Sequence, residues 1–211
     1  AELGTTRVIR EHSTIGIVIT TDGTITDLPR EAYPEAEGRV IEELKALGKP
    51  FLILLNSAHP QGEAAQKLRA KLAEQYDVTC LAVSCLDLDQ QAVTEIIQAV
   101  LYEFPLEELQ LFLPDWVETL PTEHPIRTAL FQAIRAQAGK LVRIRDVKPA
   151  VAAMGQCELV TGASVTGMKL GSGCCQARLE LPRSLFYDTL SQQTGFALHS
   201  DGELLALLER L

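Results

Sequence analysis

Apolar positions follow two rhythms along the first half of the chain. Ile15-Gly-Ile-Val-Ile-Thr20, Pro50-Phe-Leu-Ile-Leu-Leu55 and Val78-Thr-Cys-Leu-Ala-Val83 are short, nearly unbroken runs. Runs of this kind read as strands buried on both faces of a sheet. Between them, apolar residues recur at helical spacing. Val40, Leu44 and Leu47 mark a helix over 29–48, with Lys45 in its last turn and Gly48 as its stop. A helix over 63–76 turns Leu68 and Leu72 inward and Lys67, Arg69 and Lys71 outward. A third, over 89–104, carries a broad stripe of Val93, Ile96, Ile97, Val100, Leu101 and Phe104. Strand-then-helix units in succession predict an α/β fold with a parallel sheet and right-handed crossovers.

The pattern changes at Pro105. Leu109–Leu113 is a short strand ended by Pro114, and the one Trp, Trp116, precedes a turn-rich stretch. Positions 123–147 read as one helix with Ile126, Leu130, Ile134, Leu141 and Ile144 on one side. Its Arg127, Arg135, Lys140, Arg143 and Arg145 form the most basic part of the chain, which reads as a solvated face or a surface for an acidic partner. Alternation over 160–181 predicts an antiparallel hairpin turning at Gly171-Ser172-Gly173. A helix over 182–194 follows, and Ser200 with Glu203 resembles a capping box opening a final apolar helix. The chain ends inside that helix, which is expected of truncation or of an interface completed by another domain.

Composition narrows the function classes. A formal net charge of −9 argues against general nucleic-acid binding, which needs excess Lys and Arg to displace counterions from phosphates. No apolar run approaches the ~20 residues that span a bilayer, so no transmembrane segment is expected. The opening residues lack the basic-then-apolar order of a secretory signal. Position 1 is Ala rather than Met, so processing or a boundary within a longer protein is expected there. Five Cys without any C-x-x-C spacing fit reduced thiols better than disulfides or zinc. Adjacent Cys174 and Cys175 point to opposite faces of a strand.

In open parallel sheets, ligands sit beyond the carboxyl ends of the strands. Here those ends are Thr20-Thr21-Asp22-Gly23, Asn56-Ser57-Ala58-His59 and Ser84-Cys85-Leu86. Neither G-x-x-x-x-G-K-[ST] nor G-x-G-x-x-G occurs, so the chain offers no backbone cradle for phosphates.

Longer strings carry a family resemblance. They are Glu11-His-Ser-Thr-Ile-Gly-Ile-Val-Ile-Thr-Thr-Asp-Gly-Thr-Ile25, Leu28-Pro-Arg-Glu31, Glu42-Glu-Leu-Lys-Ala-Leu-Gly-Lys-Pro-Phe51 and Leu54-Leu-Asn-Ser-Ala58. Glu103-Phe-Pro105, Leu113-Pro-Asp-Trp116 and Arg145-Asp-Val147 extend them. In these strings the chain resembles the stage IV sporulation protein A family, the morphogenetic ATPases of the spore coat. The resemblance implies an α/β fold: residues 1–104 as the C-terminal half of a GTPase-like parallel-sheet domain, and 105–211 as a smaller α+β middle domain. The family's phosphate loop and metal-binding strand end lie upstream of the matched part.

By the same resemblance, the full-length protein uses ATP with Mg, none of it tightly bound to this chain. Hydrolysis drives self-association into a layer on the forespore surface, in the cytoplasm on the mother-cell side of the outer forespore membrane. The implied partners are a small amphipathic membrane-anchoring sporulation peptide and other coat proteins. The strand-end loops fall where GTPase-like folds read the base. Asn56 keeps its place in N-K-x-D, while Ser57 and His59 replace the Lys and the Asp. Neutral His has one acceptor nitrogen and His⁺ has none, so a guanine edge loses its two-bond acceptor. Ser84 and Cys85 stand where S-A-K is usual. His59 reads equally as a solvated loop residue.

Two other readings stay open. Asp22, His59 and Ser84 supply acid, imidazole and hydroxyl groups to an independent small enzyme, although no G-x-S-x-G elbow is present. The chain also reads as a purely structural assembly module.

Overall fold

The three apolar runs pair into one parallel sheet in the computed structural model, which describes residues 11–210. The stretch before Glu11, with its expected lack of a signal, lies outside the described residues, as does the last residue. β1 (Gly16–Thr21), β2 (Phe51–Asn56) and β3 (Cys80–Val83) run in the order β1-β2-β3. Val18 lies opposite Ile53, and Ile53 opposite Cys80. α1 (Pro34–Ala46) and α2 (Glu63–Tyr76) connect the strands, and α3 (Gln90–Tyr102) follows β3. The α/β class and the parallel sheet are as the pattern predicts.

β2 explains its unbroken sequence. Phe51, Ile53 and Leu55 pack on one face with Ile41 and Leu44 of α1 and Leu72 and Tyr76 of α2. Leu52 and Leu54 pack on the other with Ile96 and Val100 of α3. With both faces covered, no polar residue is tolerated in the run.

β1 departs from the expected burial on both faces. Val18 joins the α1–α2 face, but Ile17 and Ile19 are 44% and 63% exposed. Alternation turns those two toward the α3 side, where α3 packs on β2 and β3 residues. Val93 and Ile97 of α3 are 44% and 56% exposed, so its apolar stripe is only partly buried. The helix expected over 29–48 is also different. A 3₁₀ turn at Arg30–Ala32 precedes α1, with Pro34 at the helix start, where its missing N–H costs nothing. The buried stripe of α1 is Glu37, Ile41 and Leu44, one position away from Val40, which is exposed.

A second compact unit begins at Leu106. Its elements are β4 (Glu108–Phe112), α4 (Trp116–Thr119), α5 (Pro125–Ala138), α6 (Val147–Met154), β5 (Gly162–Lys169), β6 (Cys174–Glu180), α7 (Arg183–Thr194) and α8 (Asp201–Leu208). The sheet order is β4-β6-β5, with β4 parallel and β5 antiparallel to β6. The expected hairpin is present, turning through Gly173 at φ 65°. Cys175 is buried and Cys174 is not, as strand alternation requires. Val117, Leu130, Met154 and Leu179 form the core. Gly155 allows α6 to approach β5, because a Cβ there would lie 2.7 Å from that of Ala163.

The single helix expected over 123–147 is interrupted: α5 covers Pro125–Ala138, a 3₁₀ turn covers Ile144–Asp146, and α6 starts only at Val147. α5 stops at Gly139, and Asp146 accepts hydrogen bonds from the amides of Val142 and Arg143 at 3.2 and 2.8 Å. That local bonding competes with a continuous helix. At α8 the Ser200 hydroxyl caps the Glu203 amide at 3.3 Å, while the Glu203 carboxylate accepts from the His199 amide at 2.6 Å. Among the described residues, no helix is long and apolar enough to cross a membrane.

Candidate functional site

The carboxyl ends of β1, β2 and β3 lie side by side, so the loops leaving them meet at one edge of the sheet. Thr20 and Thr21 close β1 and are buried. The Thr20 hydroxyl donates to Glu37 Oε2 at 2.6 Å, and the Arg30 guanidinium grips both Glu37 oxygens at 2.7 and 3.0 Å. Burial alone raises the Glu37 pKa, but the bonds from Arg30 and Thr20 outweigh it and hold the group below its ordinary value. This buried pair fastens the start of α1 to β1. Gly23 turns the chain at φ 86°, where a Cβ would also press on the Arg30 amide at 3.0 Å.

The turn presents Asp22. Its carboxylate accepts from the Thr24 amide at 3.0 Å and the Thr24 hydroxyl at 2.6 Å. The half-buried position raises the Asp22 pKa, yet hydrogen bonds from the Ser57 hydroxyl and from Thr24 bring it below its ordinary value. Thr24 Oγ1 in turn accepts the Ala58 amide at 2.9 Å, and Ser57 Oγ accepts the His59 amide at 3.0 Å. The first and second loops are thereby sewn together.

Asn56 joins the second loop to the third. Its Oδ1 accepts the Cys85 amide at 2.9 Å, and the Ser57 amide donates to the Val83 carbonyl at 2.9 Å. All five residues singled out by sequence, Asn56, Ser57, His59, Ser84 and Cys85, therefore lie on two fastened loops. They do not play equal parts. Ser57 is 0% exposed and works from inside the loop. His59 is exposed, while Ser84 and Cys85 are half-buried. The Ser84 hydroxyl donates to Asp87 at 2.7 Å, so Asp22 and Ser84, two members of the acid, imidazole and hydroxyl trio, serve separate partners.

Such an arrangement suits the flat, polar edge of a base: an exposed imidazole, a hydroxyl, and backbone groups held still by fastened side chains. The phosphate end of a nucleotide finds no glycine-rich cradle in this sequence. Among the described residues, no three His, Cys, Asp or Glu side chains gather as a metal would need. Cys80, beneath the site, has its thiol pushed up to about 11 by burial, which makes it inert packing.

Sequence reasoning missed Glu37 and Thr24. Glu37 sits among several exposed glutamates, but its spacing to Ile41 and Leu44 places it on the buried stripe, and that signal is readable. Thr24 carries no such mark, since its bond to Ala58 spans 34 positions.

A parallel sheet with fastened loops at its carboxyl edge, followed by a mixed-sheet unit of about equal length, defines the class: a two-unit α/β protein. The model of the stage IV sporulation protein A ATPase domain matches residues 1–105, and that of the same protein's middle domain matches 106–211. Stage IV sporulation protein A of Clostridioides difficile (strain 630) is 38% identical over 211 residues, covering 100% of this chain and 43% of the relative. The Bacillus subtilis (strain 168) protein is 39% identical over 209 residues, covering 99% and 42%. No solved structure matches. The chain belongs to the stage IV sporulation protein A family and spans less than half the length of these curated relatives.

Proposed function

We propose that this chain supplies the base-side half of the ATPase domain, together with the middle domain, of a spore coat morphogenetic ATPase. In the full-length protein, ATP with Mg is the nucleotide, and its hydrolysis drives self-assembly of a basement layer on the forespore surface, on the mother-cell side. A small amphipathic membrane-anchoring peptide and other coat proteins are its partners in the cytoplasm. Asn56, Ser57, His59, Ser84 and Cys85 form the base side of the nucleotide site, with His59 in place of the carboxylate that would favour guanine. This chain alone is a scaffold and interaction portion.

The observation that supports this reading most is β1. Its outer edge carries alternating exposed apolar residues, Ile17 and Ile19, beside a groove of about 270 Å³ lined by Ile17, Ile19, Tyr33 and Val40. An exposed apolar edge strand invites another strand, and a parallel strand with its helix there would complete the domain on the same carboxyl edge. The experiment measures ATP turnover and nucleotide affinity of this chain beside the full-length protein carrying it. Turnover is expected only in the full-length protein, with light scattering rising on ATP addition. Robust turnover by the chain alone overturns the reading.

A further inference from the structure

We propose that Asp22 is a positioning residue for the nucleotide base, acting through the Thr24 hydroxyl on the backbone of the loop that carries His59. This rests on the reading of the β2 and β3 loops as the base side of the site. Asp22 itself sits on the β1 loop, which that reading leaves without a part.

The geometry converges on one carboxylate. Thr24 Oγ1 donates to Asp22 Oδ1 at 2.6 Å and accepts the Ala58 amide at 2.9 Å. On the same loop, Ser57 Oγ accepts the His59 amide at 3.0 Å. A hydroxyl that gives its one proton to a carboxylate has its lone pairs left for an amide. Asp22 therefore orients the Thr24 hydroxyl, which captures the Ala58 N–H next to the Ser57–His59 contact. Together the two captures fix the peptide planes on either side of Ala58, and with them the direction in which the imidazole leaves the chain.

The Asp22 turn is itself anchored at both ends. Thr21 Oγ1 accepts the Gly23 amide at 3.0 Å, and Arg30 at the far end of the loop is held by Glu37 and by the Thr21 carbonyl at 3.3 Å. Asn56 extends the chain of fastenings to Cys85. Removing the carboxylate leaves Thr24 free to rotate, so the loop samples other conformations and the base loses a prepared surface. Loss of preorganisation costs affinity before chemistry.

The test uses the full-length protein carrying this sequence, with ATP and GTP as probes. Asp22→Ala, which removes the acceptor oxygen, is expected to raise KM for ATP about tenfold, with a smaller loss in kcat, and to narrow the ATP-over-GTP preference. Thr24→Val, which keeps shape and loses the hydroxyl, is expected to shift KM in the same direction by a smaller factor. Thr24→Ser, which keeps the hydroxyl, is expected to recover most of that shift. A KM shift restored by Thr24→Ser supports the positioning role, because a fold defect would not follow the hydroxyl. His59→Ala and Asn56→Ala report separately on the base reading. If those two shift KM while Asp22→Ala and Thr24→Val do not, the role of Asp22 is overturned and the base reading stands. If none of the four shifts KM or the ATP-to-GTP ratio, the base reading falls, and the inference with it. If Thr24→Ser behaves like Thr24→Val, the hydroxyl relay is wrong.

Discussion

On one face of the parallel sheet, α1 and α2 close over Val18, Ile53, Leu55 and Cys80; on the other, α3 reaches Leu52 and Leu54 and leaves Ile17 and Ile19 exposed. The strands are the same and the side chains equally apolar. What differs is whether the described residues supply a layer to cover them. Apolar surface stabilises a fold only when it leaves water, so the closed face holds the unit together here. The open face leaves Ile17 and Ile19 to water and contributes little in this chain.

The comparison breaks most readily at the centre of the closed face. Ile53→Ala removes a side chain that is 0% exposed, and the cavity should cost about 4 kcal/mol in urea unfolding followed by circular dichroism. An Ile53→Ala chain as stable as its parent would mean that the closed face is not the core. Next in size is the buried pair beneath it. Arg30→Ala strands the Glu37 carboxylate in the interior and should cost about 3 kcal/mol. Glu37→Gln should cost less, because the Arg30 side chain is 18% exposed and can turn to water. Equal losses from the two would show that Glu37 is better hydrated than its position implies.

The same pair sets a pH dependence. The Glu37 pKa is lowered in the fold, so its stabilisation is fully present above the unfolded-state pKa and is lost as pH falls through the folded-state value. The melting temperature of this unit should therefore drop below about pH 4.5, and less steeply in Glu37→Gln. Matching acid profiles would remove Glu37 as the source. A smaller effect lies at the start of α3, where the Asp89 carboxylate caps the Ala92 amide at 2.7 Å; Asp89→Ala should cost about 1 kcal/mol. The smallest belongs to the open face: Ile19→Ser should change the stability of this chain by under about 0.5 kcal/mol. The same substitution should destabilise the full-length protein measurably more, and that contrast sharpens the difference between the faces.

Much of this fold is legible in the sequence, for identifiable reasons. β2 announces its central position because a strand covered on both sides must be apolar throughout. β1 has the same signature, so periodicity alone reads it as equally buried; the pattern records what a strand is made for and not which chain supplies the cover. The run over 123–147 misleads because Leu141 and Ile144 keep helical spacing across a turn, even though Gly139 and Asp146 mark the break. Strand-end position is enough to place Asn56, His59, Ser84 and Cys85 on neighbouring loops. The fastening by Asp22 and Thr24 needs the fold, since it joins loops that only strand pairing brings together.

The central claim is that β1 is an inner strand awaiting its neighbour. Gly16 donates to Pro50 across the β1–β2 pair, so alternation points the Ile17 and Ile19 amides to the outer edge. Hydrogen–deuterium exchange of those two amides, read in this chain and in the full-length protein, tests it directly. The account predicts fast exchange in the chain and strong protection in the full-length protein, with Ile53 protected in both. Equal and fast exchange at Ile17 and Ile19 in the two proteins would contradict it.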